Sequence, residues 1–433
     1  MKMLKNKVPL QDILKEPATE FPSSNTTRDP VDVSTKVWNE QRRTLARKSN
    51  TTLSTLDALL SDVRAFVRHQ WHPIEHEVEK RNEVPEEMVQ ELRQRGYFGW
   101  SIPEAYGGLG LTTEELILAA FELSQSSVAL RARVGTNTGI GSEALVADGT
   151  EAQKQRWLPA MARGELTGCL ALTEPDAGSE ATNVQTTAHK EGDSYVLNGQ
   201  KCYITNAPIA DVFTVVARTE TGTRGSNGLS AFIVERGTPG LRTGAPYQKM
   251  GQAGSPVSDV YFDNCRIPAD NLIGGQEGVG FKTIMKVLNK QRMHLAALCT
   301  GPAVRMLDLA MAHTQKRQQF GQPVGNFQLM QAMIADSQTE IFAAKSMILE
   351  AARARDRGED VALSASMCKY FASEMCGRVA DRCVQMFGGA GYVADFSPIE
   401  RYYRDVRLFR LYEGTSQIHQ LNIAKLVLRD HAL

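Results

Sequence analysis

Several things are scarce in these 433 residues. Neither sign of charge is in excess: Lys+Arg and Asp+Glu each number 49, so no global field draws in nucleic acid or an anionic surface. No run approaches eighteen uninterrupted apolar residues, so no membrane span is expected. The seven cysteines, at 169, 202, 265, 299, 368, 376 and 383, are odd in number and include no C-x-x-C. That fits reduced thiols used as small buried apolar residues, not a disulfide framework. A P-loop signature is missing, the Gly-x-Gly pieces follow no strand of a βαβ unit, and no Gly-x-Ser-x-Gly elbow stands out. His72 and His76 stand four apart in "WHPIEH", but Pro73 lies between them and no third ligand is near, so no metal site is expected. The opening "MKMLKNKVPLQDILKEPATEF" lacks the apolar core of a secretory signal, and Asp12, Glu16 and Glu20 are unlike an acid-poor transit peptide. A cytoplasmic protein is the expectation.

What is present is globular in composition, 42% apolar and 23% charged, and long enough for two or three domains. Residues 1–53 are polar and aperiodic around "EFPSSNTTRDP" and read as an N-terminal extension. Over 54–168 apolar residues recur every three or four positions, as in "STLDALLSDVRAFVRHQW" and "TTEELILAAFELSQSSVAL", which predicts a helical domain. Over 169–276 the period drops to two. "DVFTVVART", "LSAFIVERG" and "VSDVYFDNCRIP" read as strands, and Asn198–Gly199 in "SYVLNGQKCYITN" is expected to turn a hairpin. Over 277–433 the helical period returns in four long segments, 278–314, 326–356, 360–387 and 415–430. The expected fold is α+β: an N-terminal helical domain, a central β-barrel or sandwich, and a C-terminal four-helix bundle.

Four segments can carry chemistry. "CLALTEPDAGSEATNVQTTA" joins Thr173 and Ser179 to a Pro-Asp turn and Gly178 at the start of the β domain, which suits backbone amides and hydroxyls facing a planar ring or a phosphate. A turn-rich entry to a sheet looks the same. "RQQFGQPVGNFQ" puts Arg317 at a helix end, where it can pair with a pyrophosphate or simply offset the helix dipole. "QMFGGAGY" breaks a helix with glycines that suit either a phosphate or a C-cap. "RLYEGTSQIHQ" places Glu413 just before Gly-Thr-Ser, an ordinary helix start.

In order along the chain, "LTEPDAGSE", "NGQKCYITNA", "RQQFGQPVGNFQ", "QMFGGAGY" and "YEGTSQI" resemble the acyl-CoA dehydrogenase family of flavoproteins, from about residue 54 to the end. The resemblance implies FAD held between the β domain and the bundle and completed by a second subunit, hence a homotetramer or at least a dimer. It also implies an acyl-CoA substrate and an electron-transfer flavoprotein as electron acceptor. Leu170, Leu172, Thr173, Gly178 and Ser179 would then meet the flavin edge and pyrophosphate, with Ser179 also near the substrate's thioester end. Tyr203, Ile204 and Thr205 would back the ring. Arg317, Phe320, Phe327, Gln328, Gln385, Gly388 and Gly389 would reach the neighbouring subunit's dinucleotide, and Thr415 and Gln417 would close over its adenosine part.

Glu413 matches the family's catalytic base. It would take the α-proton of the thioester while the β-hydrogen leaves as hydride to flavin N5, giving the trans-2-enoyl-CoA. Tyr412 and Gly414 would flank the thioester, Gly414 giving it room. Asn289 and Arg292, in "LNKQRMHLAAL", would lie along the substrate channel. Some members carry their base on that helix, but this chain has Gln291, which cannot serve. Leu170 and Tyr203 stand where many members have an aromatic and a tryptophan. Arg131, in "VALRARVGTNTGIGS", falls where the glutaryl-CoA branch clamps a far carboxylate. Pairing with Glu122 or Glu143, or exposure to solvent, is the preferred reading of it. Gly135, Gly139 and Gly141 could leave room for a bulky acyl group. An acyl-CoA oxidase, a flavin monooxygenase and a DNA-binding relative are the alternatives; zero net charge disfavours the last.

Overall fold

The computed structural model describes residues 52–430 apart from 221 and 224, so nearly all of the expected extension lies outside the described residues. Short helices come first: α1 Thr52–Phe66, α2 Glu75–Arg81, α3 Glu86–Gln94, α4 Thr113–Leu123, α5 Val128–Gly135, α6 Glu143–Asp148 and α7 Glu151–Ala162. Two of them start as their sequences dictate. Thr112 with Glu115 opens α4, and Thr150 with Gln153 opens α7, each a reciprocal capping box.

A curled seven-stranded sheet follows: β1 Gly168–Ala171, β2 Thr187–Glu191, β3 Ser194–Thr205, β4 Val212–Arg218, β5 Leu229–Glu235, β6 Leu241–Thr243 and β7 Val257–Pro268. The strand order is β1-β4-β2-β3-β7-β6, with β5 antiparallel on β4. Tyr195, Leu197, Phe213, Phe232, Val260 and Phe262 fill its interior. Its outer side is covered by the helices, where Trp157, Leu158 and Met161 of α7 pack on Ala231 and Ile233.

The expected Asn-Gly hairpin is not there. The turn falls at Gly192–Asp193, where Gly192 has φ +59 and Glu191 pairs with Ser194. Asn198–Gly199 lies inside β3 and forms a bulge against β7. Asn198 Oδ1 accepts the N–H of Asn264 at 2.8 Å, and a Cβ on Gly199 would come within 2.5 Å of Thr186 Oγ1. The two residues that favour a tight turn here serve a close approach between strands instead.

The chain ends in helices: α8 Gly280–Lys316, a small hairpin of β8 Gln318–Gln319 and β9 Gln322–Pro323, then α9 Gln328–Asp356, α10 Ala362–Phe387, the short α11 Ile399–Val406, and α12 Ser416–Asp430. In α8 every residue from Gln291 to Val304 is buried, the polar Gln291, Arg292 and His294 included, so the helix runs through the interior on all its faces. By length and composition it could cross a membrane, yet 72% of its most apolar stretch is packed inside the protein. His313 of α8 stacks on Phe387 of α10 with ring centroids 4.2 Å apart, so the C-terminal ends of these two helices share one end of the bundle. All seven cysteines are buried free thiols.

Buried charge ties α11 to distant parts of the chain. Arg401 Nη2 donates to Glu75 Oε2 at 2.6 Å, with both side chains buried, and Tyr402 OH donates to the same carboxylate at 3.2 Å. The Gln252 N–H donates to the Asp405 carboxylate, and Gln252 Nε2 donates to the Asp405 carbonyl at 3.0 Å. Removing one partner of such a pair strands a charge away from water. Arg401→Met should therefore lower the unfolding free energy of the holoprotein by roughly 3–5 kcal/mol in denaturant. Adding Glu75→Leu should restore part of that loss; a double variant less stable than Arg401→Met alone would contradict the account.

Candidate active site

From α11 the chain passes through a short 3-10 turn, Arg407–Arg410, and reaches α12 by way of Leu411–Thr415. Thr415 is a genuine cap, its Oγ1 accepting the N–H of Ile418 at 3.2 Å. Glu413 lies two residues before that cap, outside the helix. Glu413 and Gly414 both take left-handed backbone, φ +54 and +96. A Cβ on Gly414 would stand 2.9 Å from His419 Nε2. The glycine is thus demanded by the chain itself, before any substrate is considered.

Glu413 is half-buried as a residue, but its Oε2 is enclosed and has no hydrogen-bond partner among the described residues. Burial pushes the carboxyl up to about 7, against the pull of Arg131, Lys369 and Arg292 in that order. None of these cations lies within ion-pair distance of it. The site holds a carboxyl group that can gain and lose a proton near neutrality and spends no hydrogen bond of that oxygen on the protein.

Arg292 of α8 is buried; it donates to Asn289 Oδ1 at 3.1 Å and has no carboxylate within 4 Å among the described residues. Arg131 of α5 departs from the preferred sequence reading. Glu122 pairs with Arg64 and Glu143 with Lys290, so neither is available to it. Arg131 Nη2 instead donates to Tyr412 OH at 2.9 Å and its guanidinium lies 5.4 Å from the Tyr412 ring, while its Nε is enclosed without a partner. The glycines after it do not all leave space. A Cβ on Gly139 would meet Gln291 Oε1 at 2.4 Å and one on Gly141 the Gly168 backbone at 2.6 Å; only Gly135 is open. Two of the three are small because α8 and β1 pass close by.

The expected flavin loop forms a ledge beside the sheet. The Cys202 N–H donates to the Thr173 carbonyl at 2.9 Å, joining Leu170–Thr173 to the end of β3. Behind it, Lys201 and Glu174 form a buried ion pair at 2.7 Å, and Glu174 also accepts from the Gln185 and Thr186 amides. Leu170 and Leu172 are half-buried against Val184, Val216 and Ile284. Tyr203 points outward at φ +58 with its ring 5.5 Å from that of Tyr247. Ile204 faces the other way, into the sheet core, so its side chain backs no ligand. The hydroxyls of Thr173, Ser179 and Thr205 make no hydrogen bond among the described residues. A Cβ on Gly178 would meet nothing in the protein within 4 Å.

A second group of sequence-predicted residues lies elsewhere. Arg317 ends α8, Phe320 stands almost fully exposed at φ +53 in the β8–β9 turn against Phe327, and Gln328 begins α9. Gln385, Gly388 and Gly389 are exposed at the C-terminal end of α10. Both sets share the end of the bundle marked by His313 and Phe387. Thr415 and exposed Gln417 stay with Glu413, beside Lys369. Lys369 and Gln385 are sixteen residues apart on α10, roughly 24 Å of helix.

Two residues at the site were not anticipated. Lys369 of α10 is fully buried and its Nζ donates to the Gly414 carbonyl at 2.5 Å. His419 of α12 is fully buried and its Nε2 lies 3.2 Å from the Glu413 carbonyl. The available signal was the spacing: Lys369 falls on the Ala365–Ala372–Cys376 stripe, the face α10 buries.

Three family models match the chain: acyl-CoA dehydrogenase N-terminal domain over 54–165, middle domain over 169–265, and C-terminal domain over 278–428. A 3-(aryl)acrylate reductase of Clostridium sporogenes is 40% identical over 84% of this chain and 96% of its own length. Butyryl-CoA dehydrogenase from Megasphaera elsdenii superposes with TM-score 0.84 at 33% identity, covering 88% of this chain and 99% of that one. A chain solved in work on the electron transferring flavoprotein of Acidaminococcus fermentans does so with TM-score 0.84 at 36% identity, over 88% and 99%.

The turn itself can be tested without a ligand. Gly414→Ala forces a Cβ into left-handed backbone against His419, and the protein should lose roughly 1–3 kcal/mol of stability. Thermal unfolding reads this; a midpoint equal to that of the wild type would mean that the turn relaxes freely.

Proposed function

Because the chain belongs to the acyl-CoA dehydrogenase family of FAD-dependent oxidoreductases, we propose that it dehydrogenates an acyl-CoA thioester between Cα and Cβ, with Glu413 as the base. The observation that carries this is the enclosed, unpartnered Glu413 Oε2 on a carboxyl held near neutrality by burial. An α-hydrogen beside a thioester is a weak acid, so its removal needs an aimed carboxylate and donors for the charge that develops on the thioester oxygen. The Glu413 N–H makes no hydrogen bond among the described residues and is a donor free for that oxygen.

The residues present fit FAD. The ledge and the end of β3 offer three hydroxyls unspent among the described residues, Thr173, Ser179 and Thr205, and the exposed ring of Tyr203. Arg317, which has no ion-pair partner among the described residues, offers a fork of donors suited to a pyrophosphate. When bound, FAD supplies the two-electron acceptor chemistry. The two groups of cofactor residues lie at different levels of one bundle, which supports a homodimer or tetramer in which each copy completes the other's site. An electron-transfer flavoprotein is the acceptor we infer, the link being the Acidaminococcus relative. The seven unpaired thiols support a cytoplasmic setting.

A second reading concerns the acyl group. Arg131 is a partly buried guanidinium whose Nε has no partner and which has no carboxylate within 4 Å among the described residues, beside Tyr412 and acting on Glu413. Such a group is costly unless something anionic meets it, which favours a dicarboxylic acyl-CoA such as glutaryl-CoA. The likeness to an arylacrylate reductase keeps an aromatic acyl group, and the reverse reaction, in the same test.

Anaerobic titration of the holoprotein with butyryl-, isovaleryl-, 3-phenylpropionyl- and glutaryl-CoA, following flavin bleaching, decides among these. Glu413→Gln should keep FAD yet slow bleaching by at least about 10²–10⁴-fold with every thioester; an unchanged rate removes Glu413 as base. The wild-type rate should rise with pH through about 7, because the base acts only when deprotonated. Arg131→Ala should lose glutaryl-CoA selectively, and equal losses for all four thioesters would remove the clamp.

A further inference from the structure

We propose that Lys369 and His419 together form a two-donor clamp on the backbone of the base, each holding one of the two consecutive carbonyls of Glu413 and Gly414. Lys369 Nζ donates to the Gly414 carbonyl at 2.5 Å from α10, and His419 Nε2 donates to the Glu413 carbonyl at 3.2 Å from α12. Both side chains are fully buried and the carbonyls they hold follow the two left-handed backbone torsions of the site. Left-handed backbone at a glutamate is uncommon and persists only where neighbours over-determine it. The clamp over-determines it while spending only the two carbonyls: Glu413 Oε2 makes no hydrogen bond among the described residues. The inference rests on the reading of Glu413 as the base and adds two positioning residues to it.

The two arms differ in charge. Burial drives His419 down to about 3, with Lys369 and Arg292 adding to the effect, so it is neutral at working pH. Among the described residues its one hydrogen-bond partner is a carbonyl, so Nε2 carries the proton, and Nδ1 is enclosed without a partner there. Burial lowers Lys369 from the ordinary lysine range, against the pull of Cys299 and Glu413; in its protonated form its field favours ionised Glu413, beside those of Arg131 from α5 and Arg292 from α8. The other titratable groups packed there are held neutral: Cys299, pushed up to about 12, His294, driven down to about 3, and Tyr412, raised by burial. Glu374 of α10 is engaged by Ser416 Oγ at 2.5 Å and Arg410 at 3.4 Å. Lys369 therefore acts by both geometry and charge, and His419 by geometry alone.

The test is the pH profile of flavin bleaching by butyryl- or 3-phenylpropionyl-CoA, whichever bleaches the wild-type holoprotein faster. His419→Leu should slow bleaching by at least about tenfold and leave the acid limb where it is. Lys369→Met should slow it likewise and move the acid limb to higher pH, and Lys369→Arg should bring the limb back. A purely structural lysine would leave the limb unmoved. His419→Leu at the wild-type rate, or Lys369→Met holoprotein with an unshifted limb, overturns the clamp. If Lys369→Met does not assemble with FAD, the rate of His419→Leu alone decides. Glu413→Gln run alongside separates the two ideas: if it still bleaches, the base assignment has failed, and if it does not, any failure belongs to the clamp.

Discussion

A carboxyl group taken out of water must find hydrogen bonds, find a cation, or take up a proton. Glu413 is placed so that none of these is complete. Its Oε2 has no partner, and Arg131, Lys369 and Arg292 act on it only from beyond ion-pair reach. A true ion pair would hold the carboxylate charged and occupied, whereas full isolation would hold it protonated. The balance near neutrality depends on three helices, α5, α8 and α10, each presenting one cation at a fixed remove. The packing of the helical parts is in that sense part of the chemistry.

The segment that carries the glutamate is held from both sides. Upstream, α11 is tied to α2 through Glu75 and to the loop before β7 through Gln252. Downstream, the start of α12 is tied to α10 through Glu374 and Lys369. Between these anchors lie only a short 3-10 turn and the left-handed pair. Strain in a few residues is sustained by contacts with partners 42 to 326 residues away in the chain, which is how a fold can keep a costly local geometry.

Much of the architecture could be read from periodicity. The change from a period near 3.6 to one of two and back marks where helices give way to strands, and the four C-terminal helices begin and end within about two residues of their expected bounds. What failed depended on tertiary context. Asn198–Gly199 has the composition of a turn, but the preceding Gly192–Asp193 had already reversed the chain. Arg131 looked like a partner for Glu122 or Glu143, and the sequence could not reveal that Arg64 and Lys290 reach them first. Glu413 was legible only through the likeness of whole segments to a family, since Gly-Thr-Ser after it is a real helix start as well. Lys369 stayed hidden because a lysine in a helical pattern is ordinarily solvated, and the carbonyl that holds it lies 45 residues on.

The cysteines lead somewhere different. Every thiol is buried and pushed upward by that burial, Cys202 and Cys265 to about 11 and Cys299, Cys368 and Cys383 to about 12. Alkylating reagents attack the thiolate, so the closed protein presents them with almost nothing. Modification then counts openings of the fold. Cys202 and Cys265 report on the sheet, and Cys299, Cys368 and Cys383 on the bundle, so the natural sequence carries its own set of labels for comparing how often each half breathes.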